Sequence, residues 1–300
     1  MCKIAAILAF DFGGTHIKSG LVNTEGHILK KGFIETPSSL DHLLAYIKEQ
    51  VAAYKSYDIS GIAISAPGAV SDTGVIYGAS AIPYIHGPNV KDVVEQATGI
   101  KTSIENDANC AGLAEIWKGA AKGKKDVAAV IIGTGIGGVL IKNGSIHKGN
   151  ALHGGEFGYM ILDSHNLGRG MNTFSETAST YSIIKRAAAL KSVPPSSLTG
   201  EMIFASADQG DKACIQAIAE FTTMLAIGIY NIQYMYDPEL ILIGGGISKR
   251  DDLIPQLRKE IDRIVESVDV ATITPEIERC TFQADANLIG SVYHFLQNTH

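Results

Sequence analysis

Asp11-Phe12-Gly13-Gly14-Thr15-His16-Ile17-Lys18 lies between two short apolar runs, and Gly133-Thr134-Gly135-Ile136-Gly137-Gly138 lies between two more. Before the first, residues 4–10 are uniformly apolar, the pattern of a strand buried on both faces, and residues 18–22 return after the glycines. Asn23-Thr24-Glu25-Gly26 then supplies turn residues, and residues 28–34 read as a third strand. Around the second, residues 127–132 form a strand, residues 139–142 return, and Asn143-Gly144 makes a hairpin turn. A dinucleotide-binding βαβ unit would run from its glycines into a helix, whereas each glycine loop here joins two strands. Two such hairpins predict two related α/β lobes, each offering a glycine turn to a phosphate chain.

The remaining pattern fits that division. Residues 40–54 carry apolar side chains at helical spacing after Ser38 and Ser39, and residues 59–64 form a buried strand ending in Ser65-Ala66-Pro67-Gly68. A short helix over residues 89–98 stops at Gly99. Residues 102–105 are a strand with Asn106-Asp107-Ala108-Asn109 at its carboxyl end, just before a helix. The second half is richer in helix, over residues 174–190 and 211–236. Asp237-Pro238 breaks the latter, and a buried strand over 240–243 leads into Gly244-Gly245-Gly246. The expected division is an N-terminal α/β lobe of residues 1–112, joined by a C-terminal helix over 287–300, and a larger α/β lobe of residues 113–286.

Composition narrows the function. The 300 residues are 46% hydrophobic and 19% charged, enough apolar matter for two cores. A net charge of −6 disfavours a nucleic-acid partner, which draws on clustered Lys and Arg. Cys2, Cys110, Cys214 and Cys280 lie far apart, so neither a disulfide framework nor a local zinc site is expected, and a reducing compartment is the simpler reading. The apolar N-terminus stops at Asp11 and runs into the glycine turn, so it reads as a strand and not a signal peptide. No apolar stretch reads as long enough to span a bilayer. The expected location is the cytoplasm, with no membrane partner.

Several residues carry candidate chemistry. Gly13 and Gly14 let N–H donors approach phosphate oxygens, Thr15 adds a hydroxyl, Lys18 a compact charge, and Asp11 a carboxylate able to hold Mg²⁺ directly or through water. Gly133, Thr134, Gly135 and Gly137 repeat that logic. Either turn alone could be an ordinary hairpin; the echo between them is what points to a nucleotide. Gly244, Gly245 and Gly246 would let the backbone approach a flat group such as adenosine, or simply turn a strand into a helix. Asp107, at a strand end, can accept a hydroxyl proton or cap the following helix, and spacing alone leaves both open. Asn106 could orient the same acceptor. Glu156, within His153-Gly154-Gly155-Glu156-Phe157-Gly158-Tyr159, could accept from two sugar hydroxyls or be a surface charge. Glu176, near a helix start, could reach that site or favour the helix dipole. His153 reads as a loop histidine.

In order along the chain, Asp11-Phe12-Gly13-Gly14-Thr15 with Lys18, Ala66-Pro67-Gly68, Glu105-Asn106-Asp107-Ala108-Asn109, Gly133-Thr134-Gly135-Ile136-Gly137-Gly138, Gly155-Glu156-Phe157-Gly158 and Gly244-Gly245-Gly246 resemble the ROK family (repressors, open reading frames and kinases) over nearly the whole sequence. The resemblance implies a two-lobed actin-like ATPase (ribonuclease H-like) fold with a nucleotide and sugar cleft between the lobes. It also implies ATP with Mg²⁺, phosphorylation of a sugar at its 6-hydroxyl, and a homodimer. It places the catalytic base on Asp107 and sugar contacts on Gly68, Asn106, Glu156 and Glu176. Two departures stand out. Tyr159 replaces a histidine that most members use as a zinc ligand, and no cysteine lies between Leu162 and Glu176, so zinc is not expected. No DNA-binding helix-turn-helix precedes the first strand. With Met160, Met171 and Asn172, Tyr159 looks like the family's zinc-free branch of β-glucoside kinases, in which Tyr159 would be a substrate contact. A glucokinase, an N-acetylmannosamine kinase and a non-catalytic sugar sensor are the alternatives. A nicotinamide-dependent oxidoreductase would rest on glycine spacing alone.

Overall fold

The structure, a computed structural model, describes residues 5–165, 172–282 and 284–298. Cys2, Met171 and the last two residues of the expected C-terminal helix lie outside them. The chain divides into two compact units: Met1–Gly123 with Lys148–His153 and Ala284–His300, and Lys124–His147 with Gly154–Gln283.

In the first unit the glycine turn joins β1 (Ala5–Phe12) to β2 (His16–Asn23), and β3 (Ile28–Glu35) follows. After α1 (Leu40–Ala53) comes β4 (Asp58–Ala66), then a small hairpin of β5 (Ala69–Val70) and β6 (Ile76–Tyr77). The unit continues through α2 (Val90–Thr98), β7 (Thr102–Asn106) and α3 (Asp107–Lys118). The sheet order is β3-β2-β1-β4-β7, with β1 antiparallel to β2 and parallel to β4, and β4 parallel to β7. Strand β1 is central, and its side chains alternate between two cores. Ala6, Leu8 and Phe10 pack with Leu43 and Ile47 of α1, while Ile7 and Ala9 face the C-terminal helix. Burial on both sides is why residues 5–10 read as an unbroken apolar run, which Asp11 ends.

The second unit repeats the plan. Strands β8 (Val127–Ile132), β9 (Ile136–Lys142) and β10 (Ser145–Ile146) form the hairpin and its return. Four helices follow: α4 (Phe174–Ala178), α5 (Thr180–Lys191), α6 (Gly200–Asp208) and α7 (Lys212–Tyr236). Then come β11 (Leu240–Gly244), α8 (Leu253–Glu266) and β12 (Ile277–Arg279). The order β10-β9-β8-β11-β12 has the same pattern of antiparallel and parallel neighbours as the first sheet. The fold is the doubled ribonuclease H-like sheet of actin-like ATPases.

Three details differ from the sequence expectations. A boundary after Gly112 would cut α3 in half, and α3 stays in the first unit because it packs along α9 (Ala286–Asn298). The helix expected over 174–190 is broken at Ser179, whose hydroxyl caps the N–H of Ser182 and opens α5. Helix α7 is, by length and composition, able to cross a bilayer; its Phe221, Leu225, Ile229 and Ile232 are instead buried in the second unit's core.

The α3–α9 contact depends on one glycine. A Cβ on Gly290 would lie 1.7 Å from the carbonyl oxygen of Cys110, a backbone atom that cannot swing aside. Gly290→Ala should therefore destabilise the protein by about 3 kcal/mol, the upper range for overpacking. Gly200→Ala, at a helical position with nothing within 4 Å of the new methyl, should be neutral or slightly stabilising. Urea midpoints of the two variants check the contrast.

Candidate functional site

In the first unit the candidate residues gather at the carboxyl ends of three neighbouring parallel strands, where open α/β sheets bind ligands. Asp11 of β1 is in register with Ser65 of β4, and Ser65 with Glu105 of β7. Asp11 is 6% exposed and well supplied with donors. Its Oδ1 accepts from Ser65 Oγ at 3.1 Å and from Asn287 Nδ2 at 3.0 Å, and its Oδ2 pairs with Lys18 Nζ at 3.1 Å. Lys18, half exposed, also approaches the carbonyl of Ala284.

The turn between β1 and β2 is tight. The N–H of Gly13 closes it onto the carbonyl of His16 at 3.1 Å, and Thr36 ties it down through Gly13 and Thr15 carbonyls. A Cβ on Gly14 would meet the Ala81 side chain at 2.6 Å. Gly14 and Thr15 are exposed, so the donors this turn offers a ligand come from them and not from Gly13.

Asn106 ends β7 and caps α3: its Oδ1 accepts from Asn109 N–H at 3.1 Å, and its Nδ2 donates to the carbonyl of Gly68 at 3.0 Å. The cap is thus Asn106 and not Asp107. Asp107 takes the first helical position, half-buried, with its carboxylate accepting from the N–H of Ala108 at 2.8 Å. Gly68, Asn106 and Asp107 are held together by these bonds.

The second unit's turn mirrors the first. Gly133 N–H closes onto Gly135 O at 2.9 Å, and the backbone N–H of Thr180 donates to Gly133 O at 2.9 Å. Ser175 Oγ accepts from Ile136 N–H at 2.9 Å. Thr134 is exposed at the tip. Gly137 has open space around it, whereas Gly138, absent from the candidate set, is packed under Phe157 and Gly155. Gly244 ends β11 beside β8, and Gly245 follows it at the start of a 3-10 turn. At φ +92°, a Cβ on Gly245 would sit 2.0 Å from the Ile132 carbonyl oxygen, so only glycine fits. Gly246 is exposed and borders a pocket of about 690 Å³ lined by Thr180, Ile183, Phe204, Lys249 and Arg250. The Arg250 guanidinium lies 4.1 Å over the Phe204 ring.

Glu156 precedes a 3-10 turn over Phe157–Tyr159 and is exposed; its carboxylate takes no hydrogen bond from the described residues. Tyr159 is 73% exposed. The loop that follows is closed at its base by Leu162 N–H to Asn172 O at 2.8 Å and Phe174 N–H to Met160 O at 2.7 Å. Among the described residues no group of three His, Cys, Asp or Glu is placed to hold a metal. Glu176 has a structural task. Its Oε2 accepts from the N–H groups of Thr173 at 3.1 Å and Asn172 at 3.2 Å, while Thr173 Oγ1 accepts from Glu176 N–H, completing a capping box on α4. The Thr173 N–H first, and then that of Asn172, hold this carboxyl below its ordinary value.

Sequence reasoning missed Ser65, Asn287, Ser175 and Thr180. Single hydroxyl and amide residues at these positions carry no periodic or turn signal; only tertiary placement reveals them.

Residues 7–298 match the ROK family. A β-glucoside kinase of Listeria monocytogenes is 40% identical over 294 residues, covering 97% of each chain. A ROK family protein from Streptococcus pneumoniae TIGR4, solved in complex with sucrose, superposes with a TM-score of 0.91 at 39% identity, covering 98% of this chain and 99% of the other. A ROK family glucokinase from Streptomyces griseus, solved with glucose and AMPPNP, superposes at 0.76 with 25% identity, covering 96% of this chain and 98% of that one.

The capping box has a pH signature. A carboxyl held below its ordinary value stabilises the fold above that value and loses the contribution as pH falls through the lower one. Glu176→Gln should lower the thermal midpoint at neutral pH by roughly 2–4 °C, an effect of about 1 kcal/mol. The gap to the parent protein should close as the buffer is taken below the carboxylate range.

Proposed function

We infer the reaction from one premise: the chain belongs to the ROK family and is an ATP-dependent sugar kinase. The acceptor we propose is the 6-hydroxyl of a β-linked glucoside such as cellobiose, with Asp107 as general base. The observation that carries the base assignment is the corner at the end of β7, where Asn106 does the capping and leaves the Asp107 carboxylate at the sheet's carboxyl edge. In the proposed step the sugar oxygen bonds to the γ-phosphorus, the bond from that phosphorus to the β–γ bridging oxygen breaks, and the hydroxyl proton passes to Asp107. ADP is the leaving group. After its bonds to Asn109 and Gly68, Asn106 keeps one N–H and one lone pair to orient the sugar. The exposed Glu156 carboxylate is assigned to a pair of sugar hydroxyls. Glu176, with Oε2 committed to its capping box, has one oxygen that takes no bond from the described residues, and it is assigned to the same purpose.

For the nucleotide, we assign Gly14, Thr15 and Lys18 in the first unit and Thr134 and Gly135 in the second to phosphate oxygens. The pocket beside Gly246 is assigned to the nucleoside. When bound, Mg²⁺ neutralises charge on the phosphates. Asp11 fits it through a bound water, because its carboxylate already takes bonds from Ser65, Asn287 and Lys18.

Support for a β-glucoside comes from Tyr159. Had it replaced a missing metal as core filling, it would be buried; at 73% exposure its ring is open to a second sugar, with the half-buried Met160 beside it. Met171, the other methionine in this reading, lies outside the described residues.

Two measurements test the proposal. Asp107→Asn should reduce phosphoryl transfer about 10²–10⁴-fold while calorimetry still detects sugar binding; near-normal turnover in a folded variant would remove the base assignment. Cellobiose should exceed glucose in kcat/KM by about tenfold, the effect of burying ~60 Å² of apolar ring at ~25 cal/mol per Å². Equal or better efficiency with glucose or N-acetylmannosamine would move the protein to those substrates.

A further inference from the structure

Glu105, the residue before Asn106, has no solvent exposure. Its Oε1 accepts from the N–H of Asn106 at 2.7 Å and from Asn109 Nδ2 at 3.0 Å. Because Asn109 N–H in turn donates to Asn106 Oδ1, the three residues form a closed ring around the first turn of α3, the turn that carries Asp107. Whatever holds the Glu105 carboxylate therefore holds that corner.

The other oxygen, Oε2, faces titratable groups from two further segments. Lys148 Nζ lies 2.9 Å away but off the hydrogen-bonding direction, so the contact is one of charge. Lys148 also donates to Asp72 Oδ1 at 2.8 Å and to the carbonyl of Val70 at 3.2 Å, which fixes its position. His294 Nδ1 of α9 stands 3.8 Å from the same oxygen. Burial pushes this imidazole below its ordinary value, outweighing the pull of Glu105, so at neutral pH it is uncharged. For Lys148, burial pulls downward but Glu105 and Asp72 together raise it, so it stays a cation. Among the described residues, Lys148 is the cation that balances Glu105.

Lys148 is also the first residue of Lys148–His153, a stretch that belongs to the first unit although the chain on either side of it belongs to the second. That placement fits a lysine recruited by the buried carboxylate.

We propose that Lys148 is a positioning residue for phosphoryl transfer: by balancing the buried charge of Glu105 it fixes the corner that presents Asn106 and Asp107 to the acceptor sugar. This rests on the reading of Asp107 as base. Removing one partner of a buried ion pair is harmful because it strands the other, while removing both is far milder. The single and double variants should therefore not be additive.

The test measures kcat, sugar KM and thermal midpoint for Lys148→Met, Glu105→Gln and the double variant, assayed well below each midpoint. Lys148→Met should lower kcat by about 10–100-fold, a deeper loss than in the double variant, which should lie within about threefold of Glu105→Gln alone. Lys148→Arg should keep at least roughly a third of the parent kcat, because it keeps the charge. A purely structural role would shift the midpoint and leave kcat of the folded fraction unchanged. The proposal is overturned if Lys148→Met keeps kcat within about twofold of the parent, or if the losses in the two single variants multiply in the double one. Should Lys148→Met fail to fold, Lys148→Arg and the double variant still decide. Retained turnover in Asp107→Asn would instead remove the base assignment and leave the 105–148 coupling readable on its own.

Discussion

Two carboxylates buried at the carboxyl ends of parallel strands, Asp11 and Glu105, organise the first unit. A charge removed from water costs several kcal/mol unless donors or a counter-charge meet it. Each is met by neighbours in the chain and by at least one group drawn from far away. Asp11 takes Ser65 from β4, Lys18 from β2 and Asn287 from α9; Glu105 takes Asn106, Asn109 and Lys148. The C-terminal helix and the 148–153 stretch thus meet the polar demand of this edge as well as adding apolar contact. Asp107 is less buried than either of them and stands at the end of the framework they create.

What was legible in the sequence is local. The two glycine turns, the apolar run into β1, the Gly99 stop after α2 and the strand ends at Ser65 and Asn106 all follow from period and turn chemistry within a few residues. Asn287 and Lys148 were not legible as partners, because the demand they answer lies far off in the chain. Nor was the break at Ser179: its neighbours have helical spacing, and only the cap on Ser182 and the Thr180 bond to Gly133 explain why α5 starts afresh. Glu176 shows the limit from the other side. The family resemblance marks it as a sugar contact, whereas its Oε2 is committed to a capping box.

The repeated sheet also shows how one topology carries two chemistries. In the first unit the strand before the turn places Asp11 opposite Ser65; in the second the matching positions are Ile131 and Gly244. Where one copy has a carboxylate and a hydroxyl, the other has an isoleucine and a glycine at the corresponding positions. The second copy braces its turn with the neutral hydroxyl residues Ser175 and Thr180, and its three glycines leave the strand end low enough for a bulky group to approach. The charged edge of the first copy accords with the metal and proton-transfer roles proposed for it, while phosphate contacts are proposed for both turns. In the second copy the strand end is uncharged, and the pocket beside Gly246 proposed for the nucleoside combines the apolar Ile183 and Phe204 with Lys249 and Arg250. With equal backbones, the residues at the strand ends thus distinguish the two units: a carboxylate and a hydroxyl in one, an isoleucine and a glycine in the other, while the glycine turns set the room in both.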